Sequence, residues 1–147
     1  MTASSYIGRF APTPSGHLHF GSLVAALASY LDARHVGGRW LVRMEDLDPP
    51  REMPGAQDAI LRALDIYGLH WDGEIIRQSD RQAAYAAVIE RLLQQGLGYA
   101  CDCSRKQLEG HHGIYPGTCR NRQLPPDDAA IRLRVPELDY HFCDRVQ

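Results

Sequence analysis

Cys101, Cys103 and Cys119 stand close together in a stretch rich in His, Gly and Arg. Thiolates at this spacing can share one metal ion, and zinc is the ion that a small sulfur-rich site takes most readily. A lone C-x-C is a weak signal, and the third cysteine strengthens it. His111 and His112 lie between Cys103 and Cys119; on residue chemistry alone, an imidazole from one of them completes the site more readily than a phenolate. Four protein ligands leave no open position for chemistry, so the expected zinc is structural, one ion per chain. Reduced thiols packed in a core are the alternative, but the segment from Tyr99 to Arg122 lacks the apolar periodicity that builds one. Cys143 stands apart, beside the apolar–aromatic stretch Tyr140 to Phe142, and is expected to be a core residue on a strand.

A second constellation lies near the amino terminus. Arg9-Phe10-Ala11-Pro12-Thr13-Pro14-Ser15-Gly16-His17-Leu18-His19-Phe20-Gly21-Ser22 joins an apolar run to a helical pattern. A turn between a strand and a helix is where open α/β sheets place ligands. The helix start offers N–H groups and a dipole suited to phosphate. Gly21 is expected to let a nucleotide approach the backbone, although Gly21 and Ser22 would also serve as plain helix-capping residues. His19 is positioned to donate a hydrogen bond to phosphate oxygens, and His17 reads as a loop histidine. Further on, Arg43-Met44-Glu45-Asp46-Leu47-Asp48-Pro49-Pro50-Arg51 closes a second strand with charge. Asp48 and Arg51 read as a solvated local ion pair, whereas Glu45 at the strand's carboxyl end faces the same crevice as the turn.

The elements around these residues follow from periodicity. Tyr6 to Ala11 reads as a short buried strand stopped by Pro12 and Pro14. Leu23, Ala26, Leu27, Tyr30 and Leu31 recur at helical spacing up to Gly37-Gly38. Trp40, Val42 and Met44 alternate with Leu41, Arg43 and Glu45 as a second strand. This strand–turn–helix–strand unit is expected to be right-handed and parallel. Pro54 opens a second helix facing inward with Ile60, Ala63, Leu64 and Tyr67, and Glu74 to Gln78 gives a short strand. Ser79 and Gln82 suggest a capping box for a third helix burying Tyr85, Val88, Ile89, Leu92 and Leu93 up to Gly96. Ile131, Leu133 and Val135 alternate with Arg132 and Arg134 as a last strand. The fold class is therefore α/β, a partial parallel sheet with flanking helices. Its divisions are 1–98, a small zinc-binding insert at 99–125, and a connecting region at 126–147.

Composition narrows the function further. The formal net charge of -2 over 147 residues excludes a uniformly basic nucleic-acid binder, so any RNA contact must be local. Arg105, Lys106, Arg120 and Arg122 beside the cysteines are candidates for phosphate contact. No apolar run reaches membrane-spanning length. The amino terminus carries no signal-peptide pattern, which points to the cytosol, where disulfides are disfavoured.

Taken as strings, these motifs carry a resemblance. The segment from Arg9 to Ser22 resembles the His-Ile-Gly-His signature of class I aminoacyl-tRNA synthetases in its glutamate-family form, with Ser22 in place of the second histidine. Glu45 to Glu52 and Cys101 to Arg105 resemble the same family. The resemblance, covering Gly8 to about Val146, implies a Rossmann-like catalytic domain that activates L-glutamate with ATP, together with Mg2+. It implies that Arg9 binds the glutamate side-chain carboxylate, Glu45 its α-amino group, and Ala11 and Thr13 line the pocket; His19, Gly21 and Ser22 would hold ATP, with His19 catalytic. It also implies Tyr115, in Tyr115-x-x-x-Cys119, as fourth zinc ligand beside Cys101, Cys103 and Cys119. Gly21-Ser22-Leu23-Val24 and Asp46-Leu47-Asp48-Pro49-Pro50 are more similar to the branch that attaches glutamate to queuosine in tRNA(Asp), a cytoplasmic monomer when full length. The family's lysine-bearing Lys-Met-Ser-Lys-Ser loop is absent from these 147 residues. The chain is thus expected to correspond to an amino-terminal half whose activity depends on the other half. A fragment of an ordinary glutamyl-tRNA synthetase and a non-catalytic zinc-stapled RNA- or nucleotide-binding module are the rival readings.

Overall fold

Alternation along Arg39–Met44 sets the centre of the fold, because every second side chain from Trp40 is driven to one face. The computed structural model describes residues 6–111, 113–136 and 139–143, and divides into two compact units, 1–82 and 83–147. In the first unit β1 (Ile7–Phe10), β2 (Arg39–Met44) and β3 (Ile76–Arg77) form a parallel sheet in the order β1-β2-β3. Gly8 lies beside Trp40, Phe10 beside Val42, and Met44 beside Arg77. Between the strands run α1 (Phe20–His35) and α2 (Ala56–Ile66). The parallel α/β architecture expected from the sequence is the one observed.

Trp40 is fully buried at the centre of the core, with Phe10, Ala26, Ala33, Val42, Met44, Ile60 and Leu64. Tyr30 meets its ring edge-on at 5.2 Å, and its indole N–H donates to the Ser29 hydroxyl at 3.0 Å. A buried indole needs such a partner. A Cβ on Gly8 would come within 3.0 Å of the Ser29 carbonyl oxygen and 3.2 Å of the Trp40 ring. Only glycine therefore lets α1 lie this close to β1. Asp72 secures the start of β2: its carboxylate accepts from the Trp40 N–H at 2.7 Å and the Arg34 guanidinium at 2.8 Å. Those two bonds, the backbone one foremost, hold the Asp72 carboxyl below its usual range against the effect of burial.

Several expected inward faces turn out otherwise. β1 is not buried throughout, since Gly8 and Phe10 are buried while Ile7 and Arg9 are exposed. Leu27 and Leu31 on α1 are exposed, together with Phe20 and Val24, because the helix packs through its small side chains Ala26 and Ala33. Apolar residues cover more of this helix's circumference than one sheet face can contact. On α2, Ile60 and Leu64 are buried but Tyr67, at its carboxyl cap, is exposed. Pro54 precedes that helix, which starts after Gly55 at φ 76°.

The second unit contains nearly all of α3 (Gln82–Gln94), then β4 (Gly98–Cys101), α4 (Arg105–Leu108) and β5 (Ala130–Leu133). Strands β4 and β5 pair antiparallel, with Tyr99 opposite Arg132 and Cys101 opposite Ala130. No residue of α3 is buried, and Val88 and Ile89 are exposed. The capping box expected at Ser79 is absent, because the Ser79 hydroxyl donates to Asp46 instead. A capping box does occur at Ser104 and Gln107, opening α4. Leu133 and Val135 are exposed, so β5 buries no continuous apolar face. Cys143 is exposed and lies outside any strand, contrary to its reading as a core residue. No helix among the described residues is long and apolar enough to cross a membrane.

Candidate nucleotide pocket and metal cluster

In the first unit, β1 ends at Phe10 and the chain turns through Pro12 and Pro14 before α1 begins at Phe20. The Glu45 N–H donates to the Pro12 carbonyl at 3.0 Å, so the carboxyl end of β2 is fastened to this turn. A hollow of about 330 Å3 opens there, lined among others by Ala11, Thr13, His17, His19 and Ser22. Four residues assigned from the sequence thus come together at the end of one strand. Gly21 lies outside the lining.

His19 is the N-cap of α1. Its Nδ1 accepts from the Ser22 N–H at 3.2 Å, and its Nε2 lies 3.0 Å from the Ser22 hydroxyl. A nitrogen that accepts from a backbone N–H carries no proton, so the neutral ring carries it on Nε2. The geometry therefore makes Nε2–H the donor of the ring, directed at the Ser22 hydroxyl. A Cβ on Gly21 would stand 3.2–3.3 Å from the imidazole. A side chain at Gly21 would thus press on the His19 ring.

Arg9 and Glu45 occupy one face of the sheet by strand alternation, opposite to the face packed on α1. Neither lines the hollow. The Glu45 carboxylate is paired with Arg43 at 2.5 Å, a partner two residues back on the same face. Asp48 and Arg51 form the expected exposed ion pair, at 2.5 Å.

His17 is an exposed loop residue, as read from the sequence, and also lines the hollow. One residue of this region went unmarked as a site residue in the sequence. Asp46 is a buried carboxylate, 7% exposed, that accepts from the Ser79 N–H at 3.0 Å and the Ser79 hydroxyl at 2.6 Å. Burial opposes its ionisation, yet the bonds from Ser79 outweigh it and keep the carboxyl below its usual range. Continuing the alternation Trp40, Val42, Met44 by one step places Asp46 on the buried face, so the signal was present.

In the second unit, the sulfurs of Cys101, Cys103 and Cys119 all lie within 4.8 Å of one another. Sulfurs bound at about 2.3 Å to a tetrahedral zinc stand roughly 3.8 Å apart, so the three thiols fit one ion. The Tyr115 hydroxyl sits 3.3 Å from Cys101 Sγ and 3.8 Å from Cys103 Sγ, and accepts from the Cys119 N–H at 2.8 Å. Of the fourth-ligand candidates from the sequence, Tyr115 and not His111 is brought to the sulfurs; His111 is exposed and outside the cluster, and His112 lies outside the described residues. Burial works against ionisation of Cys101, but hydrogen bonds with Tyr115 and Arg132 outweigh it and bring the thiol down to about 6. Burial, joined by the bond to Cys101, pushes the Tyr115 hydroxyl up. A small core surrounds the group, with Tyr99, Cys101 and Cys119 buried and Leu124 packed against them. The segment is therefore less bare than its sequence suggests.

The chain matches the family described as tRNA synthetases class I (E and Q), catalytic domain, over residues 7–138. This chain belongs to that family. Among curated relatives it is 80% identical over 144 residues to a glutamyl-Q tRNA(Asp) synthetase of Ectopseudomonas mendocina, covering 98% of this chain and 49% of the relative. A Pseudomonas fluorescens protein of the same name is 77% identical over 146 residues, covering 99% and 49%. The chain spans about half the length of the curated relatives it matches. Among solved structures, a glutamate tRNA ligase from Elizabethkingia meningosepticum, in complex with its amino acid, superposes with a TM-score of 0.74 at 28% identity. That match covers 90% of this chain and 33% of the ligase.

Proposed function

We propose that this chain forms the amino-terminal part of an enzyme that activates L-glutamate with ATP and transfers it to queuosine in tRNA(Asp). The observation that carries the reading is the turn after β1, where His19 caps α1 through Nδ1 and holds its Nε2–H on the exposed Ser22 hydroxyl, a partner that a phosphate oxygen can replace. The 80% identity to a glutamyl-Q tRNA(Asp) synthetase supports the choice of substrate within the family.

In this reading ATP, as its Mg2+ complex, lays its phosphates across the start of α1. His19 turns its Nε2–H from the Ser22 hydroxyl to an oxygen of the α-phosphate. The contact strengthens as the glutamate carboxylate attacks phosphorus and pyrophosphate leaves. Preorganised donors of this kind contribute about 100- to 1,000-fold to rate. Arg9 offers a planar fork to the glutamate side-chain carboxylate, which a lysine would match poorly. Glu45 receives the α-amino group while Arg43 holds its carboxylate in place. Ala11 and Thr13 complete the wall.

Residues 99–125 act as a structural insert, with Cys101, Cys103, Cys119 and Tyr115 holding zinc. The ion would supply rigidity, since four protein ligands leave no coordination site for substrate. The test is glutamate-dependent exchange of pyrophosphate into ATP, made with this chain fused to the remaining half of the Ectopseudomonas mendocina relative. Exchange in the fusion and loss of it in His19→Ala is the expected result; undiminished exchange in His19→Ala contradicts the assignment.

A further inference from the structure

The cysteine cluster is flanked by two arginines that the ligand set does not use. Arg132 sits opposite Tyr99 in the β4–β5 ladder, and its guanidinium lies 3.9 Å from the centroid of the Tyr115 ring. Its Nε is buried with no hydrogen-bond partner among the described residues. Arg122 approaches from Cys119: its Nη1 is 3.6 Å from Cys119 Sγ and 2.8 Å from Asp102 Oδ1. A half-buried guanidinium with an unpaired N–H calls for a nearby anion. Zinc would create one. Three thiolates and one divalent ion sum to one negative charge, and a phenolate adds a second.

We infer that Arg132, assisted by Arg122, is a positioning residue that neutralises the anionic zinc cluster and orients Tyr115 toward the ion. The inference rests on the zinc reading of residues 99–125. Arg132 is suited to the task in two ways. Its planar cation stacks on the face of Tyr115, which fixes the plane of the ring and so the position of the hydroxyl. It also shares one face of the β4–β5 ladder with Cys101, the most buried of the ligands but for Cys119. Arg122 meets the opposite sulfur, and Asp102 holds that guanidinium in place through a single shared oxygen, which also accepts from the Cys119 thiol at 3.2 Å. Outer partners of this kind typically change metal affinity by about 10- to 100-fold when removed.

The experiment is zinc competition against a chromophoric chelator on the full chain, with cobalt(II) as a spectroscopic stand-in. The parent, Arg132→Met, Arg132→Lys and Arg122→Met are compared. Arg132→Met is expected to weaken zinc by about 10- to 100-fold and to shift the cobalt–thiolate charge-transfer bands. Arg132→Lys, which keeps the charge without the planar fork, should fall between it and the parent. Arg122→Met should weaken zinc about tenfold, and it stands as the independent arm if Arg132→Met does not fold. Zinc held as tightly by the Met variants as by the parent overturns the inference, as does equal weakening in Arg132→Lys and Arg132→Met. A parent that takes up no zinc overturns the metal reading itself.

Discussion

Replacing Asp46 tests how the carboxyl end of β2 is held. Its carboxylate takes two hydrogen bonds from one residue, Ser79, thirty-odd positions along the chain in the turn after β3. Bonds to a charged group are worth about 1.5–3 kcal/mol each. Ser79 itself is exposed, so water can rescue part of the loss and the low end applies. Asp46→Ala should therefore cost about 3 kcal/mol, from two bonds at the lower value. Each kcal/mol moves the melting point of a unit the size of residues 1–82 by roughly 4–8 °C, giving a fall on the order of 12–24 °C. Asp46→Asn keeps one acceptor and should lose about half as much. Ser79→Ala removes only the hydroxyl bond, at about 1.5 kcal/mol, so the two alanine changes should couple by about that amount in a double-mutant cycle.

The pH dependence has a definite sign. Because the folded-state carboxyl lies below the unfolded value, its contribution is complete above the ordinary Asp range, and it is lost as pH falls through the lowered value. Thermal melting followed by circular dichroism between about pH 3 and pH 7 covers that window. Asp46→Ala should flatten the acid-side slope relative to the parent. Additive alanine changes, or a cost below about 0.5 kcal/mol, would refute the reasoning.

Gly21→Ala should raise or preserve the melting point, because alanine favours a helix over glycine by about 1 kcal/mol. It should nevertheless weaken ATP binding severalfold in equilibrium titration, since the added Cβ presses on the His19 ring. Purified chain should contain one zinc per molecule by elemental analysis, and Cys119→Ser should lower both that content and the melting temperature. Tyr115→Phe should weaken zinc while His111→Ala leaves it unchanged, the reverse result reassigning the fourth ligand.

The first half of the chain was legible because its signals are local. Alternation from Trp40 gives β2 its faces, and Pro12 with Pro14 ends β1 where the ligand turn begins. The inward face of α1 was misread at Leu27 and Leu31, since periodicity marks an apolar helix without saying which arc a close-packed sheet will take. Ser79 was misread for a similar reason: its local pattern favours a cap, and a buried carboxylate distant in sequence wins the hydroxyl. The cysteines were visible as a group, but Arg132 was not, because its place beside Tyr115 depends on the β4–β5 register. His19 was singled out by its motif, whereas its role as N-cap and the resulting proton position needed three-dimensional geometry.

The most direct test of the glutamate site is the response of pyrophosphate exchange to Arg9→Ala in the fusion with the relative's remaining half. Loss of a bidentate, charge-assisted pair should raise the glutamate requirement about 100-fold, near 3 kcal/mol, while the ATP requirement stays within about twofold. Equal damage to both substrates, or exchange driven as well by other amino acids as by glutamate in the unmutated fusion, would contradict the account.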